Sequence, residues 1–138
     1  MAFVDAKLLF SDAQSLVLAT AAAINSTNVI DLGAASPNIG RGTPIWAHVR
    51  IGTACTGQTS TTLAVALKHC ATVDGSYTDL ISYSAASIAN FTAGLKVIEQ
   101  ALPSTVHRYL KVVYTVGTSA VTAGTVDAWL NLSEMESV

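Results

Sequence analysis

Charge is what this chain lacks most: Asp, Glu, Lys and Arg make up 12% of its 138 residues, about half the usual globular share. A surface so poor in ions has little electrostatic protection against association, and a formal net charge of −2 adds little more. Part of that surface is therefore expected to be covered in the working state, by copies of the chain or by a larger partner. The basic residues Lys7, Arg41, Arg50, Lys68, Lys96, Arg108 and Lys111 are scattered, with no run that could neutralise a row of phosphates, so nucleic acid is not an expected partner. Long apolar runs are missing too. Residues 16–24 are too few to span a bilayer and follow Asp5 and Asp12, where an export signal needs positive charge, so no membrane is expected either. Cysteine is scarce: Cys55 and Cys70 make no disulfide framework and are expected to be reduced.

Motifs of catalysis are also wanting. His48, His69 and His107 coexist with many serines, but no serine sits in a nucleophile elbow, and these histidines fall in alternating patterns where they pack or face solvent. His69 and Cys70 are neighbours on a strand and so point to opposite faces, which prevents them from chelating one ion together. The glycines of Gly40-Arg41-Gly42 lack the third glycine and the following helix of a dinucleotide loop, and no Walker sequence occurs. The expectation is a protein that is not an enzyme, with no catalytic residue, no metal and no cofactor.

What the chain does have is valine, threonine and alternation. In residues 45–51, Ile45, Ala47, Val49 and Ile51 fall on one face, with Trp46, His48 and Arg50 on the other. Leu63, Val65 and Leu67 repeat the pattern up to about Cys70. Residues 77–83, 95–101, 106–116 and 121–132 read as further strands, as does 26–32, while 84–89 is left irregular. Turn chemistry at Gly40 to Pro44, Gly52, Asp74-Gly75, Pro103 and Gly117 separates them. Short strands at this spacing, with no amphipathic helix, predict an all-β fold, a β-sandwich, barrel or jelly roll in a single domain over 1–138, with an extended N-terminal arm at 1–10 and a short tail at 134–138. A strand completing the sheet is the competing reading of residues 1–10.

Several segments resemble a known family. Leu9-Phe10-Ser11-Asp12-Ala13-Gln14 and Ser26-Thr27-Asn28-Val29-Ile30-Asp31-Leu32-Gly33 resemble the opening of jelly-roll capsid cement (decoration) proteins of tailed bacteriophages, of the Bordetella podophage type. Leu102-Pro103, then Arg108-Tyr109-Leu110-Lys111-Val112-Val113-Tyr114-Thr115-Val116-Gly117, then Thr122-Ala123-Gly124-Thr125-Val126-Asp127-Ala128-Trp129-Leu130 resemble the paired terminal strands of the same group. The resemblance implies a structural virion protein on the outer capsid surface, assembled in the host cytoplasm. It would form a homo-oligomer, dimer or trimer, and clamp neighbouring subunits of the major capsid protein. It transfers no catalytic residue. Contacts with the capsid or a sister subunit are expected at Phe3, Leu8, Leu9 and Phe10 of the arm and at Pro37, Arg41 and Pro44 of the following loop. Trp129 is a candidate anchor, because buried aromatics carry much interface energy, with a second layer of core as its plainer role. Two rival functions remain open: a carbohydrate-binding β-sandwich with Tyr77, Tyr83, Tyr109 and Trp129 as its platform, or an enzyme built around His48 or His107.

Overall fold

The computed structural model describes residues 9–32, 45–103 and 105–131. Where apolar and polar residues alternate, the backbone is extended. β4 (Trp46–Ile51), β6 (Thr62–Cys70), β9 (Tyr109–Gly117) and β11 (Thr125–Asn131) each send every second side chain inward. Leu63, Val65 and Leu67 meet Val49, Ile51, Leu110, Val112, Tyr114, Val126 and Leu130 in one buried cluster. Each such side chain contributes roughly 1.5–3 kcal/mol by leaving water. Around these four lie β1 (Leu9–Ser15), β2 (Ala22–Asn25), β3 (Ile30–Asp31), β5 (Thr56–Gly57), β7 (Thr78–Ser87), β8 (Lys96–Ala101) and β10 (Val121–Ala123).

One sheet has the order β1-β11-β4-β8, the other β2-β9-β6-β7 with β3 also paired to β9, and β5 and β10 form a small separate ribbon. All pairings are antiparallel: β1 with β11, β2 and β3 with β9, β4 with β8, and β6 with β7. With β2 and β3 taken as one interrupted strand and the ribbon set aside, first pairs with last, second with last but one, and so inward. That nesting is a hairpin rolled into two facing sheets, the jelly-roll order predicted by the sequence.

Several expectations are corrected in detail. Leu9 and Phe10 belong to β1, which completes the first sheet, so the strand reading holds there and the arm reading does not. Residues 84–89, left irregular, continue β7 to Ser87 and then turn through a short 3-10 segment at Ile88–Asn90. Two register shifts against β6 break the alternation of β7, and this hid the strand. Val106 is not in a strand. It lies in the turn before β9 and is buried as a plug of the core.

The sheets are tied across their open side by polar contacts. Ser11 Oγ donates to Gln14 Oε1 at 2.6 Å, so Tyr114 OH, buried at the sandwich centre, donates to Ser11 at 2.9 Å. The same Gln14 oxygen accepts from Thr27 N and Oγ1, and its amide donates to Asn25 O at 2.8 Å, joining β1 to the β2–β3 connection. Ala13 reaches these contacts at φ 47°, an uncommon conformation for alanine. Its N–H donates to Asp127 Oδ1 at 2.7 Å, which offsets some of that strain.

Candidate docking surface

The four connections at one end of the sandwich join β1 to β2, β4 through β5 to β6, β7 to β8, and β9 through β10 to β11. The registers place them together: Ser15 is opposite Thr125, Ala22 opposite Val116, Ile51 opposite Val126, and Thr62 opposite both Gly117 and Ser87. Residues 16–21, 52–61, 88–95 and 118–124, which form these connections, contain no Asp, Glu, Lys, Arg or His. The absence extends down the outer face of the second sheet. Thr62, Ala64 and Ala66 of β6, Val113 and Thr115 of β9, and Ala23 and Asn25 of β2 lead to Lys68 and Lys111, the first charges met. From Thr62 to Lys68 is about 20 Å along an extended strand. On the first sheet charge comes closer, with Arg50, Lys96 and Asp127 beside the loops.

This end is knit rather than loose. Leu16 N–H donates to Gly124 O at 3.0 Å, and Leu18 and Val121 exchange both backbone bonds at 3.1 and 3.0 Å. Cys55 N–H donates to Phe91 O and Ile88 N–H to Thr61 O, each at 2.9 Å. Side chains add further ties: Thr61 Oγ1 donates to Ala120 O at 3.0 Å, Ser119 Oγ to Gln58 Oε1 at 2.5 Å, and Thr56 and Thr122 hydroxyls meet at 3.0 Å. Beneath them Leu16 and Phe91 are fully buried, while Val17 on top is 51% exposed. Burial among these groups pushes the Cys55 thiol up to about 11. Interface cores are depleted in charge because every ion taken from water must find a partner, and a rigid surface has less entropy to lose on association. A pre-ordered, ion-free end rimmed with hydroxyls therefore suits docking.

The expected contact residues are placed differently. Phe10 is in the core at 1% exposure, with no surface left for a partner, while Leu9 is half-buried in β1. Trp129 lies on the outer side of the first sheet at 4% exposure, stacked on His48 with centroids 5.2 Å apart and the Arg50 guanidinium 5.6 Å from its ring centre. Its buried indole Nε1 has no hydrogen-bond acceptor among the described residues. Phe3, Leu8, Pro37, Arg41 and Pro44 fall outside the described residues. The charge-free end was missed because the reading followed apolar and aromatic residues. The overlooked signal was four stretches bare of Asp, Glu, Lys, Arg and His: residues 13–30, 51–67, 80–95 and 112–126.

The rival platforms do not assemble. Tyr77 carries Lys111 Nζ 4.4 Å above its ring and Tyr109 the Arg108 guanidinium at 5.0 Å, whereas Tyr83 packs edge-on to Phe91 and Trp129 belongs to the other sheet. Of the histidines, His48 and His69 are buried in strands and His107 lies in the turn before β9. Among the described residues, no three His, Cys, Asp or Glu side chains stand together as a metal centre requires.

Residues 10–130 match the sequence model of a family described as Bbp16. No curated protein matches the chain.

Proposed function

The chain belongs to the Bbp16 family, whose name is that of a Bordetella phage protein, and from that membership we propose a structural virion protein that decorates the capsid and bridges neighbouring major capsid subunits. It acts without catalysis or cofactor, on the outer capsid surface. The observation that carries the reading is the ordered, charge-free end of the sandwich. A solvent-facing end of a freely diffusing protein gains solubility from ions, and this one has dispensed with them across four separate connections. Buried against a lattice, the same surface carries no unpaired charge and offers hydroxyls for hydrogen bonds. A shell filled with nucleic acid is under outward pressure. Each bridging copy adds contact area that must be lost before the lattice opens, and many equivalent sites make small contacts sum.

The test is binding to capsids assembled without this protein. Val17→Asp and Ser60→Glu place a charge on the ion-free end at exposed positions, and each is expected to stay folded while binding more than about ten-fold more weakly, about 1.4 kcal/mol. Asp74→Lys, at an exposed turn of the opposite end, is expected to bind like the unaltered protein. Equal binding by all three variants would remove the docking role of this end. Failure of the unaltered protein to bind capsids at all would remove the decoration role itself.

A further inference from the structure

The opposite end of the sandwich holds a pair of histidines that the docking role does not use. His69, next to last in β6, is 9% exposed and points into the sandwich, with Leu110 of β9 and Thr78 of β7 across from it. Its Nδ1 accepts the backbone N–H of His107 at 3.0 Å, and the two rings lie 4.5 Å apart at 31°. An imidazole that accepts at Nδ1 carries its single proton on Nε2. A second proton would have to sit on Nδ1, facing a backbone N–H, and donor against donor cannot bond. The contact therefore exists only while His69 is neutral.

Much depends on that contact. His107 lies in the turn that plugs the core with Val106, 3% exposed. Arg108, the next residue, grips Asp31 of β3 through two bonds of 2.6 and 2.9 Å, and its carbonyl accepts Leu32 N–H at 2.8 Å. The other ionisable groups nearby are engaged or turned away. Lys68 and Cys70 of β6 and Tyr109 and Lys111 of β9 alternate onto the outer face, where Lys68 Nζ meets Asp79 of β7 at 2.8 Å and Lys111 covers Tyr77. The carboxylates of these elements, Asp79 and Asp31, are held by Lys68 and Arg108.

We propose that the His69–His107 pair is an acid-sensitive latch, which holds the turn before β9 shut while His69 is neutral and releases that turn, and with it the grip on β3, when His69 is protonated. Burial first, and then the neighbouring His107, hold the imidazole below its ordinary 6.5. The sign follows from linkage. The unfolded chain takes the proton at a higher pH than the folded one, so the stability of the latched state is complete above 6.5 and declines as pH falls below it.

Hydrogen exchange at the His107 amide tests this on the isolated protein. Referred to the intrinsic rate, protection is expected to fall several-fold between about pH 7.5 and about pH 5.5, up to the limit of about ten-fold set by one proton binding the released state at 6.5. In His69→Asn the amide oxygen can accept the same N–H without titrating, so protection is expected to change less than about two-fold over that range. Unchanged protection in the unaltered protein, or equal loss in both proteins, would overturn the latch. If the variant folds poorly, a proton NMR titration of the His69 ring in the unaltered protein decides the matter. A midpoint below 6.5 supports the latch, and one at or above it refutes the latch.

Discussion

The two ends of this sandwich are capped by connections of opposite character. At one end, residues 16–21, 52–61, 88–95 and 118–124 carry no ionisable group except Cys55, and they close over Leu16 and Phe91 with backbone and hydroxyl bonds. At the other, Asp31, Lys68, Asp79, Arg108 and Lys111 pair with each other or with aromatic rings near the tilted His69–His107 pair. Neutral hydroxyls and backbone bonds hold their order at any pH and shed water at modest cost when a partner arrives. Ion pairs and imidazoles respond to salt and protons. The same pair of sheets thus presents an ion-free end and an end whose contacts respond to salt and protons.

The comparison breaks most visibly if the ion-free end is only loosely packed. Phe91 is fully buried there, edge-on to Tyr83 at 5.8 Å. Phe91→Ala should cost about 3–5 kcal/mol in denaturant unfolding. A loss below about 1 kcal/mol would mean that this end contributes little to the folded core.

The two cysteines report on the ends separately, Cys55 on the ion-free end and half-buried Cys70 opposite Tyr109 on the other. Only the thiolate is nucleophilic, and burial moves the Cys55 thiol from 9.0 to about 11. Alkylation of Cys55 at about pH 8 should therefore run about a hundred-fold slower in the folded than in the denatured chain, two pH units of thiolate population. Mass spectrometry of partly alkylated protein should find Cys70 modified first. Rapid alkylation of Cys55 would show that the end opens readily.

Packing against the same thiol constrains Gly124. It adopts φ 145°, and a Cβ built there would lie 2.6 Å from Cys55 Sγ and 3.2 Å from its Cα. Gly124→Ala should cost about 2 kcal/mol, from backbone strain and overpacking together. A neutral result would imply that the β10–β11 corner can shift freely, which an end preorganised for docking should not do.

How much of this was legible in the sequence varied with the physics behind each part. β4, β6, β9 and β11 announced themselves because one face of each meets the core and alternation follows directly. β1 and β2 left little signal. In β1, two register shifts and the turned backbone of Ala13 destroy the period, and the inward Ser11 is held by hydrogen bonds instead of apolar contact. Gly124 divides the run at 121–132 into two strands, since the chain must turn a corner there. The ion-free end was hardest to see, because no single residue marks it. Its character is an absence shared by four stretches that only the registers bring together.

The smallest effect tests the charged end. Lys68 Nζ and Asp79 Oδ1 lie 2.8 Å apart across β6 and β7, with side chains 28% and 57% exposed. Exposure screens the attraction, and fixing two side chains offsets part of it, so a double-mutant cycle with Lys68→Ala and Asp79→Ala should give a coupling of about 0.5 kcal/mol. That coupling should shrink in high salt, because water and counterions reach both groups. The Thr56–Thr122 hydroxyl contact at the other end involves no charge. Its coupling, measured with Thr56→Ala and Thr122→Ala, should be of similar size but insensitive to salt. Equal salt dependence at the two ends would erase the distinction between them, whereas a difference at equal size assigns it to the chemistry of the contacts and not to their strength.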